Sequence, residues 1–209
     1  MEHPVRLAVL LSGSGTTLQN LLDRINAGRL AARIALVVSS RSDSGGLERA
    51  QRAGVPAVVV SRKGFADVDA FNDALHGELQ RHDFDLIVLA GFLSPFQLRN
   101  RYSGRVMNLH PALIPAFCGK GFYGEKVHQA VIDAGVKVTG CTVHFADEQY
   151  DHGPIILQGT VPVLDDDTPQ TLAARVHSLE NELYPEAIRL WAEGRLEVCG
   201  RRVKIRRSA

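Results

Sequence analysis

Between residues 108 and 158 the chain gathers an amide, two imidazoles and a carboxylate at places where strands should end. Asn108-Leu109-His110-Pro111 follows the apolar run Val106-Met107, as the mouth of a buried strand would. Further on come Thr142-Val143-His144-Phe145 and then Asp151-His152-Gly153-Pro154. Residues 108 and 110 leave a strand on the same face, and so do 142 and 144. Such a set suits binding a carbonyl oxygen and moving a proton. A histidine at a position like 144 is also commonly a hydrogen-bonded core residue, and that alternative stands. It is weaker for His110, because Pro111 ends the strand there and side chains at strand ends face the ligand edge.

A second candidate lies near the start. Gly13-Ser14-Gly15-Thr16-Thr17 sits between a short apolar run, Leu7 to Leu11, and an amphipathic stretch with Leu18, Leu21, Leu22 and Ile25 on one face. Glycines let the backbone turn its N–H groups outward at a helix N-terminus, so a phosphate fits there, with hydroxyls of Ser14, Thr16 or Thr17 assisting. No Lys follows the glycines as in a P-loop, and the third glycine of the dinucleotide fingerprint is missing. A plain strand-to-helix turn is the alternative reading.

The elements that must carry these groups alternate. Strands are expected at 7–11, 34–38, 58–60 and 86–89, with helices at about 17–25, 46–53 and 68–81 between them, which means a parallel sheet covered on both faces. After a strand at 106–109 and a helix at about 124–134 the pattern changes. Strands at 137–145 and 155–159 are joined by too few residues for a helical crossover, so they should pair antiparallel. A long helix is expected from Thr168, its N-cap, with Pro169 at the first position, to about Glu193, kinked or broken at Pro185. A hairpin turned at Cys199-Gly200 should close the chain. The expected class is α/β, a Rossmann-like, doubly wound, mostly parallel sheet with an antiparallel C-terminal part.

Composition narrows the function classes. The 209 residues suffice for one domain with a full core. With 24 basic and 23 acidic residues the formal charge is +1, so no global field recruits nucleic acid or an anionic membrane. The basic cluster Arg201, Arg202, Lys204, Arg206 and Arg207 has no aromatics between its charges and reads as a solvated ribbon. The first apolar run is too short for a signal segment or membrane span, so a cytoplasmic protein is expected. Three scattered cysteines, Cys118, Cys141 and Cys199, indicate neither a disulfide framework nor a zinc ribbon.

Taken together, Ser12 to Gln19, Gly46-Leu47-Glu48-Arg49-Ala50, Leu89-Ala90-Gly91-Phe92, Asn108 to Pro115, Gly140 to Phe145 and Asp151 to Gln158 resemble the phosphoribosylglycinamide (GAR) formyltransferases, within the formyltetrahydrofolate-dependent transformylases. The likeness spans about residues 5 to 200. It implies a single formyltransferase domain over 1–209, with a phosphate-binding half at about 5–105, a folate and catalytic half at about 106–195 and a terminal hairpin at about 195–206. It also implies transfer of a formyl group from 10-formyltetrahydrofolate to the amine of glycinamide ribonucleotide, with no metal, no nucleic acid and no membrane, by a monomer or homodimer.

On the same resemblance, Asn108 would donate to the alkoxide of a tetrahedral intermediate. His110, if protonated, would stabilise the same oxygen. Asp151 would keep His110 charged and relay a proton from the attacking amine to the departing folate nitrogen. Thr142, His144 and Thr139 would support these groups from behind. Gly13, Ser14, Gly15, Thr16 and Thr17 would hold the phosphate and Glu180 the ribose. Leu89, Phe92, Leu93, Val106, Asn108, Ala146, Asp147 and Asp151 would contact the folate.

The chain departs from the family pattern twice. The stretch after Phe92 is shorter by about two residues, which bears on the folate contacts. Phe117 to Gly124 is longer and richer in glycine, and is expected to form a mobile flap. The alternatives are a 10-formyltetrahydrofolate hydrolase, a formyltransferase for another amine, or a binding module using the glycine loop or a cluster of His110, Cys118, His144 and His152. With the first strand starting at about Val5, the N-terminal module of the hydrolases is not expected. Nor is the C-terminal tRNA-holding domain of the methionyl-tRNA formyltransferases.

Overall fold

The computed structural model describes residues 4–207. The chain forms two compact units, one ending at Met107 and one beginning at Asn108. In the first lie β1 (Val5–Leu11), α1 (Thr16–Asn26), β2 (Ala32–Ser39), α2 (Gly45–Arg52), β3 (Ala57–Val59), a 3-10 turn at Arg62–Gly64, α3 (Val68–Gln80) and β4 (Leu86–Leu89). β5 (Val106–His110) begins at the end of this unit. Strand order is β3-β2-β1-β4, and the ladders of β1 with β2, β1 with β4 and β2 with β3 are all parallel.

This is the opening order of a doubly wound sheet, in which chain direction from β1 reverses. Leu7 to Leu11 are without exposure, so β1 must be apolar on both faces, and its sequence is. In α1 the buried residues Leu18, Leu21 and Leu22 follow helical spacing. α3 starts where the Asp67 carboxylate accepts from the Ala70 N–H at 2.8 Å, and it buries Phe71, Leu75 and Leu79 four residues apart.

The second unit holds α4 (Glu125–Asp133), β6 (Val138–Phe145), β7 (Ile155–Pro162), α5 (Pro169–Ala192), β8 (Leu196–Cys199) and β9 (Arg202–Ile205). Strand order runs β5-β6-β7-β9-β8, antiparallel for β6 with β7 and for β8 with β9, parallel for β7 with β9. Val131, Cys141, Leu172 and Val176 form a core between α4, β6 and α5, flanked by Leu109, Val161 and Leu183. Burial in this core pushes the Cys141 thiol up to about 12.

Three expectations change. The long helix is neither broken nor divided at Pro185. It runs from Pro169 to Ala192, and Tyr184, Pro185, Ala187 and Ile188 are all buried there, so packing outweighs the one backbone donor that proline removes. β7 extends to Pro162 rather than Gly159, because β6 offers partners as far as Val138. The terminal turn is Gly200-Arg201, one residue later than expected. Cys199 pairs with Arg202, and Gly200 takes the positive φ of 61° that the first turn position requires. Among the described residues no helix is long and apolar enough to cross a membrane.

Candidate active site

The catalytic candidates converge within the second unit. Asn108 and His110 stand at the end of β5, and His144 lies one residue before the end of β6. The amide nitrogen of Asn108 donates to His144 Nε2 at 3.1 Å and to Asp151 Oδ1 at 3.2 Å. His144 Nδ1 lies 2.8 Å from the Phe145 carbonyl oxygen, which can only accept, so the ring proton is on Nδ1 and Nε2 is free to accept from Asn108. The opposite orientation of the Asn108 amide would set oxygen against the Asp151 carboxylate. Both N–H groups of Asn108 are therefore engaged.

Asp151 takes its place by an unusual backbone. Its φ is 53°, a left-handed value that Asp and Asn tolerate better than most residues. Oδ2 accepts from the Gly119 N–H at 2.8 Å and lies 3.5 Å from His110 Nδ1. His110 Nε2 donates to the Phe117 carbonyl at 2.8 Å, so each ring nitrogen of His110 faces an oxygen. The His110 and Asp151 side chains are only 4% and 10% exposed. Such burial by itself pushes the Asp151 carboxyl up, yet its environment holds it below the usual carboxylate range. His144, the charge of His110 and the Gly119 N–H act in that direction. The His144 contact is 3.8 Å long and its Nε2 already accepts from Asn108, so we assign the larger part to His110 and Gly119.

The surrounding strands aim these groups. The β6–β7 register slips between Val143 and His144, leaving Ile156 as the extra residue of a bulge where His144 emerges. After β6 the chain doubles back, with the Phe145 N–H donating to the Pro154 carbonyl at 2.9 Å. A Cβ on Gly153 would sit on the Phe145 carbonyl oxygen, so only glycine fits that return. Thr142, buried, donates to the Ala112 carbonyl at 2.7 Å and accepts from the Ile114 N–H at 3.1 Å, while Gln158 Nε2 donates to both Thr142 Oγ1 and the Ile114 carbonyl at 3.0 Å. Thr142 thus fixes the segment that leaves His110. Thr139 is buried farther back on the same strand.

In the first unit the glycine loop takes the form of an anion cradle. Gly13 and Ser14 are exposed, Gly15 caps α1 with φ 74°, and no side chain caps the helix. The first-turn N–H groups, including those of Thr16 and Thr17, thus carry the positive end of the helix without a side-chain acceptor. Two bonds shape the loop from α2: the Gly46 N–H donates to the Gly13 carbonyl at 3.2 Å, and Arg49 Nε donates to the Ser14 carbonyl at 2.8 Å. A Cβ on Gly15 would lie 2.6 Å from Gly46 Cα. The loop follows β1 and, with the segment after β4, lies beside the β1–β4 switch point where ligands of such sheets bind. In that segment the Leu93 N–H donates to Ser12 Oγ at 2.8 Å, leaving the Leu93 side chain 59% exposed.

The remaining assignments are less uniform. Leu89 and Phe92 are half-buried, but Val106 is buried in the protein as it stands. Ala146 and Asp147 are half-buried in the turn that leads to Asp151. Glu180 on α5 accepts from His177 Nδ1 at 3.0 Å, and this bond raises the His177 pKa. Two partners of the site carry no sequence signature, since the Gly119 N–H and Phe117 carbonyl are backbone groups. Among the described residues no group of three or more His, Cys, Asp or Glu side chains could hold a metal ion.

Comparison with known proteins bears on the family. Residues 5–188 match the formyl transferase family model. The crystal structure of glycinamide ribonucleotide transformylase 1 from Symbiobacterium toebii superposes with a TM-score of 0.93 at 45% identity, over 99% of this chain and 96% of that one. A phosphoribosylglycinamide formyltransferase from Haemophilus influenzae is 39% identical over 196 residues, 92% of this chain and 90% of its own length. The trifunctional purine biosynthetic protein adenosine-3 of Bos taurus is 40% identical over 193 residues, and there the match spans only 18% of the longer protein. With the family model covering residues 5–188 and relatives of similar length at 39–45% identity, the chain belongs to the formyl transferase family.

Proposed function

We propose that the protein transfers the formyl group of 10-formyltetrahydrofolate to the amine of 5'-phosphoribosylglycinamide, a reading supported by relatives of similar length that are named as glycinamide formyltransferases or transformylases. The observation that carries this reading is the closed set Asn108, His110, His144 and Asp151, in which a donor amide and an imidazole flank one buried carboxylate. The amine attacks the formyl carbon, a C–N bond forms, and the carbonyl oxygen takes up the electron pair. Asn108 turns one N–H from Asp151 to that oxygen, with His110 beside it, a kind of stabilisation worth about 3–4 kcal/mol where a comparable donor has been removed. Asp151 accepts the proton from the attacking nitrogen, directly or through water, and delivers it to N10 of the folate as the old C–N bond breaks.

In this reading Gly13 to Thr17 hold the phosphate through main-chain N–H groups, Glu180 binds ribose hydroxyls, and the 146–151 turn contacts the folate. We take the 209 residues as one formyltransferase domain working in the cytoplasm. The deciding experiment follows tetrahydrofolate formation with and without glycinamide ribonucleotide. Formation that depends on the amine, with formylated glycinamide as product, is expected. Equal formation without it, accompanied by formate, would make the protein a hydrolase.

A further inference from the structure

The turn that carries Asp151 is thinly anchored at its outer end. Glu148, Gln149 and Tyr150 are exposed, and Asp151 itself holds a positive φ. A run of three side chains helps to tie this end. Asp147 accepts the Gln149 N–H on Oδ1 at 2.9 Å and faces His152 Nδ1 with Oδ2 at 2.7 Å. On the far side of the ring, His152 Nε2 is met by Arg201 Nη1 at 2.5 Å. A guanidinium can only donate, so Nε2 accepts, the ring proton lies on Nδ1, and it is donated to Asp147. The bonds therefore run one way, from Arg201 through His152 to Asp147, with His152 adjacent to the catalytic aspartate.

Arg201 is well placed to anchor such a chain. It occupies the second position of the Gly200-Arg201 turn, and the hairpin behind it is joined to β7 by the Ile155–Arg202 pairing, three residues beyond His152. Arg195 Nε donates to the Arg206 carbonyl at 2.7 Å and Arg206 Nε to Glu197 at 3.2 Å, which hold the hairpin's open end. We propose that Arg201 is a positioning residue for the catalytic turn: through His152 it keeps residues 147–152 in the shape that receives the formyl donor. This rests on the function proposed above. His152 and Asp147 are 45% and 36% exposed, so the link adds little to global stability and acts on the turn alone.

The test uses the full chain with Arg201→Ala, Arg201→Lys and His152→Ala. In Arg201→Ala and His152→Ala, amide exchange over 148–152 should speed up, and KM for 10-formyltetrahydrofolate should rise roughly three- to fivefold, the scale of an exposed charged contact. KM for glycinamide ribonucleotide and the urea midpoint should not move. Arg201→Lys should restore most of the effect, because an ammonium also donates to Nε2. Unchanged exchange in Arg201→Ala overturns the brace. Faster exchange with an unchanged donor KM overturns its positioning role, and a rise in both KM values with a lower urea midpoint reduces Arg201 to a structural residue. The exchange measurement needs no substrate, so a failure of the wild-type protein to formylate glycinamide ribonucleotide would defeat the functional reading and leave the brace to be decided separately.

Discussion

In the proposed reaction Asp151 is the central group, because it touches Asn108, lies beside both imidazoles and accepts from the Gly119 N–H. Asp151→Asn keeps size and tolerates the left-handed backbone, while removing the charge and the capacity to accept a proton. Turnover should fall by at least about a hundredfold, with the far-ultraviolet spectrum unchanged. A variant keeping a tenth of wild-type turnover would exclude Asp151 as the proton acceptor. The carboxylate also leaves a mark on stability. Its folded pKa is lowered, so its contribution is complete above the unfolded value of ~3.9 and is lost as pH falls through the lower folded value. The urea midpoint of the wild type should therefore drop more steeply than that of Asp151→Asn in the interval below ~4. Parallel curves would show that His110 and Gly119 do not hold the charge.

At the scale of elements, two loops would set substrate handling in the proposed function, and each gives a prediction. In the glycine loop, Gly15 and Gly13 are not equivalent. A Cβ on Gly15 meets Gly46 backbone at a φ of 74°, whereas one on Gly13 meets nothing within 4 Å. Gly15→Ala should lose about 1–3 kcal/mol in urea unfolding, and Gly13→Ala should stay near the wild type. Equal losses would mean that the Gly15–Gly46 approach does not constrain the loop. The Phe117–Gly124 segment is pinned at its base, where the Phe117 carbonyl and Gly119 N–H meet His110 and Asp151, and exposed from Lys120 to Gly124. Exchange at Gly119 should already be slow in the free protein, and exchange at 120–123 should slow only with both substrates bound. Deleting 120–123 should raise formate release relative to amine formylation, since water then reaches the formyl group. An unchanged partition would count against a closing flap.

For the molecule as a whole, two members of the basic C-terminal cluster are engaged within the protein: Arg201 meets His152, and Arg206 meets Glu197. With a net charge of +1, the protein should show no gel retardation of duplex DNA at about 0.15 M salt. Retardation that weakens steeply with salt would revive the alternative. The fold was readable from the sequence wherever burial demanded apolar residues on both faces, as in Leu7–Leu11 and Leu86–Val88. It was less readable where packing overrules local preference, as at Pro185, or where a turn depends on one glycine, as at Gly200. In the site, Asn108 and His110 are legible because a strand's alternation puts them on one face. The Gly119 N–H and Phe117 carbonyl are not, since any residue could supply them, and the Arg201–His152 contact joins positions 49 residues apart.

The hydrogen bonds described at the catalytic set all close within residues 108–151, whereas the glycine loop and the residues that shape it lie at positions 12–49. On the proposed function, acyl-transfer chemistry and anion recognition are thus written in separate stretches of the gene. Change confined to the first stretch would then alter how an acceptor's phosphate is held without disturbing the machinery that activates the carbonyl. That arrangement would let phosphate anchoring diverge over evolutionary time while the reaction itself is inherited intact.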